Sequence, residues 1–396
     1  MADFEQVLAA STARGANEVP GCVLAAVDKN GKSLYLKAAG FNGVAPDAEP
    51  ISIDATFWIA SCTKLLGTVA ALQCVERGQI TLDEPVSKVL PELAELEILH
   101  AEGDIANLKL STTKTSNQIT LRQLLCHSSG LAYDIFTPSL MAWRASRGES
   151  PRGLDGVVAA AHTVPLSFEP GQGWAYSGGI DWAGLIVARL HNTTLEEYMQ
   201  KNIFAPLGMN STTFRFEKHP DIQKRLVKTA ARGEDGKLTE AKKPFVDNAP
   251  EDCAGGGLYS SAQDYVKVLG DLIKDQPILL KRETVEKEMF APQLPKGSSA
   301  HNGLLASTDI LAAMTGATKT PEGVNWGLGG LYMGDDVGAF KKGTLTWGGY
   351  PNLTWFMHRE KGVAGIYASQ VVPPGDPKSS KLSQQWMAEI FRTASA

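Results

Sequence analysis

Long apolar runs are missing from this sequence, and so are the other marks of a membrane or secreted protein. No segment reaches the length needed to span a bilayer. The start, Met1-Ala2-Asp3-Phe4-Glu5, is acidic and lacks the basic lead and apolar core of a signal peptide. Cysteine is scarce: Cys22, Cys62, Cys74, Cys126 and Cys253 are five in number, odd and widely scattered. That pattern predicts reduced thiols in a cytoplasmic protein, not a disulfide frame. Metal-ligand spacing is lacking as well. No two cysteines are placed as a ligand pair, and the seven histidines form neither H-x-H nor H-E-x-x-H. Neither metal nor cofactor is expected. Nor is there an excess of one charge: the net value is −5 over 396 residues, without a Lys/Arg run. Nucleic acid and anionic membrane are therefore poor partners. G-x-S-x-G is also absent, which excludes the nucleophile elbow of the α/β-hydrolases.

What is present is a 43% apolar chain able to bury a large core. Cys22–Val27, the turn Asp28-Lys29-Asn30-Gly31 and Ser33–Ala38 predict a β-hairpin. Leu353–His358 and Val363–Ser369, around Arg359-Glu360-Lys361-Gly362, predict another near the C-terminus. A closing helix over 381–392 carries Leu382, Trp386, Met387, Ile390 and Phe391 on one face. Between the ends, helix signals dominate: Thr194 with Glu197, Ser261 with Asp264, and the apolar stretch 181–190. The expected fold is α/β (α+β): an antiparallel sheet completed by both termini and flanked by helices, with a mainly helical inserted lobe. The expected division is a sheet domain from 1–80 and 255–396 and a lobe over 81–254. Polar stretches at 101–118, 217–248 and 296–325 read as insertions that wall a cleft.

Ser61-Cys62-Thr63-Lys64 is an S-x-x-K. On a helix, i and i+3 share a face, so the amine can sit beside the hydroxyl and take its proton. The motif alone is weak, since about one or two occur by chance in a chain this long. A second does occur, Ser111-Thr112-Thr113-Lys114, among polar residues, and reads as a surface loop. The first is led by Phe57-Trp58-Ile59-Ala60. It is followed by Leu65, Leu66, Val69, Ala70, Leu72 and Val75, a buried helix that Gly78 stops. A lysine inside such a helix needs a partner or a purpose.

Four further segments follow in order: Leu124-Leu125-Cys126-His127-Ser128-Ser129-Gly130-Leu131, Glu169-Pro170-Gly171-Gln172-Gly173-Trp174-Ala175-Tyr176-Ser177, Ala254-Gly255-Gly256-Gly257-Leu258, and Trp347-Gly348-Gly349-Tyr350-Pro351-Asn352. Together they resemble the serine β-lactamase-like superfamily in its class C, family VIII esterase and lovastatin-type acyltransferase branches. W-G-G followed by P-N is most similar to the fungal lovastatin-type acyltransferases and statin-ester hydrolases. The resemblance covers about 57–369 and implies the β-lactamase/transpeptidase-like fold.

It also implies a serine esterase or acyltransferase working through an acyl-enzyme. Ser61 would be the nucleophile, Lys64 its activator, and Tyr176 the second base and general acid. The backbone N–H groups of Ser61 and Tyr350 would form the oxyanion hole. Trp347, Gly348 and Gly349, with Trp58 and Trp174, would line the substrate. Such an enzyme takes a small-molecule ester and, for transfer, an alcohol acceptor.

The chain departs from the class C pattern where Tyr-x-Asn reads Tyr176-Ser177-Gly178 and Lys-Thr-Gly reads Trp347-Gly348-Gly349. The groups that would hold a β-lactam's amide and carboxylate are missing, so lactam hydrolysis is expected to be weak. A non-catalytic sensor on the same fold is the alternative, though a pure binder has no need of Ser61, Lys64 and Tyr176 together. His127 reads as a loop brace, and Asp181, His162 and Glu169 as capping or loop residues.

Overall fold

The computed structural model describes residues 1–103, 109–317 and 319–394. Parts of two polar stretches read as cleft insertions, 104–108 and 318, lie outside them. A seven-stranded antiparallel sheet forms from Gly21–Asp28 (β1), Ser33–Gly40 (β2), Val324–Gly327 (β3), Gly330–Met333 (β4), Leu345–Gly349 (β5), Leu353–His358 (β6) and Val363–Ala368 (β7). Its order is β2-β1-β7-β6-β5-β4-β3, so the N-terminal hairpin closes onto the C-terminal one along the β1–β7 seam.

β1 as far as Val27 and the whole of β7 are apolar and buried because both faces are covered. Ala26 pairs with Tyr35 and with Gly365, and Gly365 with Phe356, so Tyr35, Gly365 and Phe356 share one face. Trp386 of the closing helix Pro377–Ala394 packs against Tyr35 and Phe356 there. A Cβ on Gly365 would lie 2.7 Å from that indole. Val27, one residue on, points the other way and meets Gly270 of the helix Ala262–Leu272.

Behind the sheet the apolar S-x-x-K helix forms as expected, Thr63–Glu76 (α1), and packs against Gly179–His191 (α2). Glycines let them approach. A Cβ on Gly67 would touch Ile180 and Ala254 at 3.0 Å, and one on Gly184 would stand 2.6 Å from Ala254. Ala254 is thus clamped between the two helices, which fixes where Gly255 lies. The capping box expected at Thr194 and the N-cap expected at Ser261 are present. Among the described residues no helix is long and apolar enough to cross a membrane. The five cysteines are buried and unpaired.

One expectation needs correction. Ser111-Thr112-Thr113-Lys114 is exposed, but it is strand and not loop: Lys109–Lys114 pairs antiparallel with Glu97–Glu102. The adjacent β-branched Thr112 and Thr113, with cross-strand partners Leu99 and Ile98, favour extended backbone over a turn.

Candidate active site

The segment carrying Ser61 is held from three sides. Phe57 and Trp58 pair with Ser260 and Tyr259, and the Ile59 N–H donates to the Leu258 carbonyl at 3.0 Å. The Tyr265 hydroxyl donates to the Cys62 carbonyl at 2.8 Å, and Thr63 Oγ1 accepts the Leu258 N–H at 3.2 Å. Between them the chain turns sharply. Ala60 has φ +44°, and Ala60–Cys62 is one 3-10 turn running into α1. A positive φ at alanine is backbone strain that the surrounding bonds sustain. It leaves Ser61 partly exposed on an otherwise buried segment.

Lys64 follows one turn later and is only 1% exposed. Its Nζ donates to Ser61 Oγ at 3.3 Å, to the Tyr133 hydroxyl at 3.0 Å and to the Gly255 carbonyl at 2.6 Å. Among the described residues no carboxylate pairs with it directly.

Tyr176 stands over the same amine by its ring, with Nζ 4.7 Å from the centroid. Its hydroxyl is engaged elsewhere, accepting from Trp347 Nε1 at 3.0 Å. The direct lysine–phenol contact therefore belongs to Tyr133 and not to Tyr176. Tyr133 was not singled out in the sequence. It lies just past L-L-x-H-x-S-G-L, and its fixed position depends on Asp134, which pairs with the buried Arg144 at 2.9 Å and accepts the N–H groups of Arg152 and Gly153. Burial first, then the charge of Asp181, pushes the Tyr133 phenol well above its ordinary pKa, so it remains a neutral hydroxyl.

Behind Tyr176 sits an aromatic cluster. Trp347 is 3% exposed and meets Trp326 edge-on at 4.7 Å. Trp174, expected at the substrate wall, is buried against Trp326 and His127 and backs the Tyr176 loop. Trp58 stacks on Phe245 at 5.8 Å and donates Nε1–H to the Gly256 carbonyl at 2.8 Å, with Tyr350 at its other side. His127 has φ +62°, and its Nδ1 bonds both the Ser177 hydroxyl and N–H. Burial, then the Lys64 charge, pushes its pKa well down, so it stays neutral and braces the loop.

β5 ends at the nucleophile. A Cβ on Gly349 would lie 2.5 Å from the Ile59 carbonyl and one on Gly348 2.4 Å from the Leu353 carbonyl, so only glycines let the edge come this close. Gly349 and Tyr350 stay partly exposed, as do Ser61 and Tyr176. These four form the open line of the site. Glu169 accepts the N–H groups of Ser116 and Asn117, the loop role expected of it. Asp181 is neither loop nor cap. It is buried in the first turn of α2, where it accepts the Gly255 N–H at 2.8 Å.

The family model named Beta-lactamase matches residues 6–385. The chain belongs to that family. It is 36% identical to acyltransferase calJ of Penicillium decumbens, over 99% of this chain and 98% of the relative. It is also 36% identical to the lovastatin esterase of Penicillium rubens, over 96% of each. Among solved structures, a simvastatin synthase mutant from Aspergillus terreus superposes with a TM-score of 0.86 at 32% identity, covering 99% of this chain and 94% of that one. The β-lactamase/transpeptidase-like fold expected from the motifs is therefore the fold of this member.

Proposed function

We propose that this member of the family is a serine esterase or acyltransferase that passes an acyl group through Ser61. The observation that carries the reading is Lys64 Nζ, buried and 3.3 Å from Ser61 Oγ, with no carboxylate among the described residues in direct contact. An amine so placed accepts the hydroxyl proton as Oγ forms its bond to the ester carbonyl carbon. The carbonyl electron pair moves onto oxygen, where the N–H groups of Ser61 and Tyr350 are available as donors. Collapse breaks the bond to the leaving alkoxide, which takes a proton from the Lys64–Tyr133–Tyr176 cluster. Trp347 Nε1–H donates to the Tyr176 oxygen and fixes that phenol beside the amine, where it can pass the proton. A second alcohol, or water, then attacks the acyl-enzyme by the same route in reverse.

The substrate is a small-molecule ester with an apolar acyl group, and the acceptor in transfer is an alcohol. Two relatives support the class by name, the calJ acyltransferase and the lovastatin esterase, so a statin-like alcohol is the first to try. The reading includes the division into a sheet domain (1–80 and 255–396) and a helical lobe (81–254), with the cleft between them. It also places the protein in the cytoplasm, in keeping with five unpaired buried cysteines. Intact-protein mass spectrometry after incubation with a panel of acyl esters tests it. An acyl adduct on Ser61 is expected. An adduct that persists in Ser61→Ala, or neither adduct nor turnover with any ester, would sink the reading.

A further inference from the structure

The amine of Lys64 is not the only buried ionisable group at this site. Asp181 is 2% exposed. Among the described residues no lysine or arginine pairs with it. Its near partners include the Gly255 N–H at 2.8 Å, His162 Nε2 at 3.6 Å and the Tyr133 hydroxyl. Burial, the largest influence on His162, lowers its pKa, so that imidazole supplies no cation. A buried carboxylate without a compensating charge is costly, and here the compensation lies one residue away. Gly255 gives its N–H to Asp181 and its carbonyl to Lys64 Nζ. The Tyr133 hydroxyl, which receives Lys64 Nζ, also feels the Asp181 charge. Asp181 and Lys64 thus act on the same two groups. The fit is close enough to dictate sequence, because a Cβ on Gly255 would stand 2.1 Å from Asp181 Oδ2.

We infer that Asp181 is a positioning residue of the reaction: the buried carboxylate that holds the Lys64–Tyr133–Tyr176 proton on the amine and so sets the pH at which Ser61 becomes nucleophilic. The inference rests on the catalytic reading of Ser61 and Lys64 given above. A carboxylate in a low-dielectric interior favours the protonated form of a nearby amine and opposes a nearby phenolate.

The other groups facing the site do not compete for this role. Burial drives the thiols of Cys62 and Cys253 far up, leaving them neutral, and it keeps His127 neutral. Tyr133 is a neutral phenol. The ions just beyond are already paired, Asp134 with Arg144 and Asp252 with Arg215, and Glu251 accepts the Val158 N–H. Among the described residues Asp181 remains as the anion facing the site without a lysine or arginine partner. A purely structural role is the rival account, since a carboxylate in the first turn of α2 also meets the positive end of that helix. The two accounts differ in what they do to a pH profile.

Asp181→Asn keeps the shape and an acceptor for the Gly255 N–H while removing the charge. Asp181→Ser, which leaves room for water, is made alongside it so that a folded neutral variant is in hand. kcat/KM for p-nitrophenyl butyrate is measured against pH together with melting temperature. The expected result is an acidic limb displaced to lower pH by about one unit, several-fold more activity relative to plateau on the old limb, and an unchanged KM. A limb that stays in place or moves up overturns the inference, however much stability is lost, because a structural role alone would not move it. Acylation of wild type at Ser61 is followed in the same samples. An adduct there with an unmoved limb removes Asp181's role only, whereas no adduct removes the catalytic reading and this inference with it.

Discussion

The chain writes S-x-x-K twice, and the two copies end in opposite physical states. Ser61 and Lys64 lie on a 3-10 turn running into a buried helix, which puts amine and hydroxyl 3.3 Å apart. Ser111 and Lys114 lie on an exposed strand, where three steps of about 3.3 Å and an odd spacing send the side chains apart to opposite faces. One pattern of four letters thus gives a coupled pair in one place and two unrelated surface groups in the other. Periodicity decides, and periodicity is set by neighbours: Leu65, Leu66 and Val69 demand a helix, while Thr112 and Thr113, facing Leu99 and Ile98, fit a ladder.

The largest expected effect breaks the comparison at its buried end. Ser61→Ala should lower turnover of activated esters by about 10⁴-fold or more, with the melting temperature nearly unchanged. Steady-state kinetics on p-nitrophenyl acetate and butyrate measure it. Full activity in Ser61→Ala would mean that the nucleophile is elsewhere.

Next come the groups that couple to that serine. Lys64→Ala and Tyr176→Phe should each cost on the order of 10³-fold, and the double variant little beyond the worse single, as for groups that act as a unit. Tyr133→Phe belongs in the same cycle, because its hydroxyl and not that of Tyr176 contacts the amine. Fully additive losses would contradict a shared proton.

These residues also mark how far the sequence could be read. Both hairpins, the closing helix and the S-x-x-K helix announce themselves by local apolar pattern, and the ordered motifs bring Ser61, Lys64, Tyr176 and Gly349 to one place. Tyr133 and Asp181 were not legible, for a common reason. Their standing depends on partners far along the chain: Lys64, 69 residues back, for the Tyr133 hydroxyl, and Gly255, 74 residues on, for Asp181. The indole–phenol bond between Trp347 and Tyr176 spans 171 residues and leaves no local mark either. A sequence shows an aspartate near a helix start, and capping is the ordinary reading of that. Burial and a long-range backbone partner are what change it.

A smaller effect sharpens the specificity of the buried site. With Trp347 where a cation would meet a lactam's carboxylate, p-nitrophenyl butyrate should exceed nitrocefin in kcat/KM. The lost charge-assisted contact, about 1.5–3 kcal/mol, corresponds to roughly 10- to 150-fold. A preference for nitrocefin would overturn that account of the pocket and leave Ser61 standing. Trp347→Phe comes below it. The ring is kept and only the donor to Tyr176 is lost, so a fall of about 2- to 13-fold in kcat is expected from one neutral hydrogen bond. An unchanged kcat would show that the indole N–H does not tune the phenol.

The smallest effect is expected at the other copy of the motif. Ser111 faces His100 and Lys114 faces Glu97 across the hairpin, and Thr113 Oγ1 and His100 Nε2 already satisfy each other at 2.8 Å. Neither Ser111 nor Lys114 is buried, so little is left behind when either is cut back. The double change Ser111→Ala/Lys114→Ala should alter stability by no more than about 0.5 kcal/mol. In a chain of 396 residues that is about 1 °C in melting temperature. Ester turnover and acyl loading should match wild type within error. The measurement has consequences because the four letters are the same. If the exposed pair could be removed only with loss of activity, sequence context would not be what separates the two copies. Leu65, Leu66 and Val69, by enforcing a buried helix, would then not be what makes the first copy reactive.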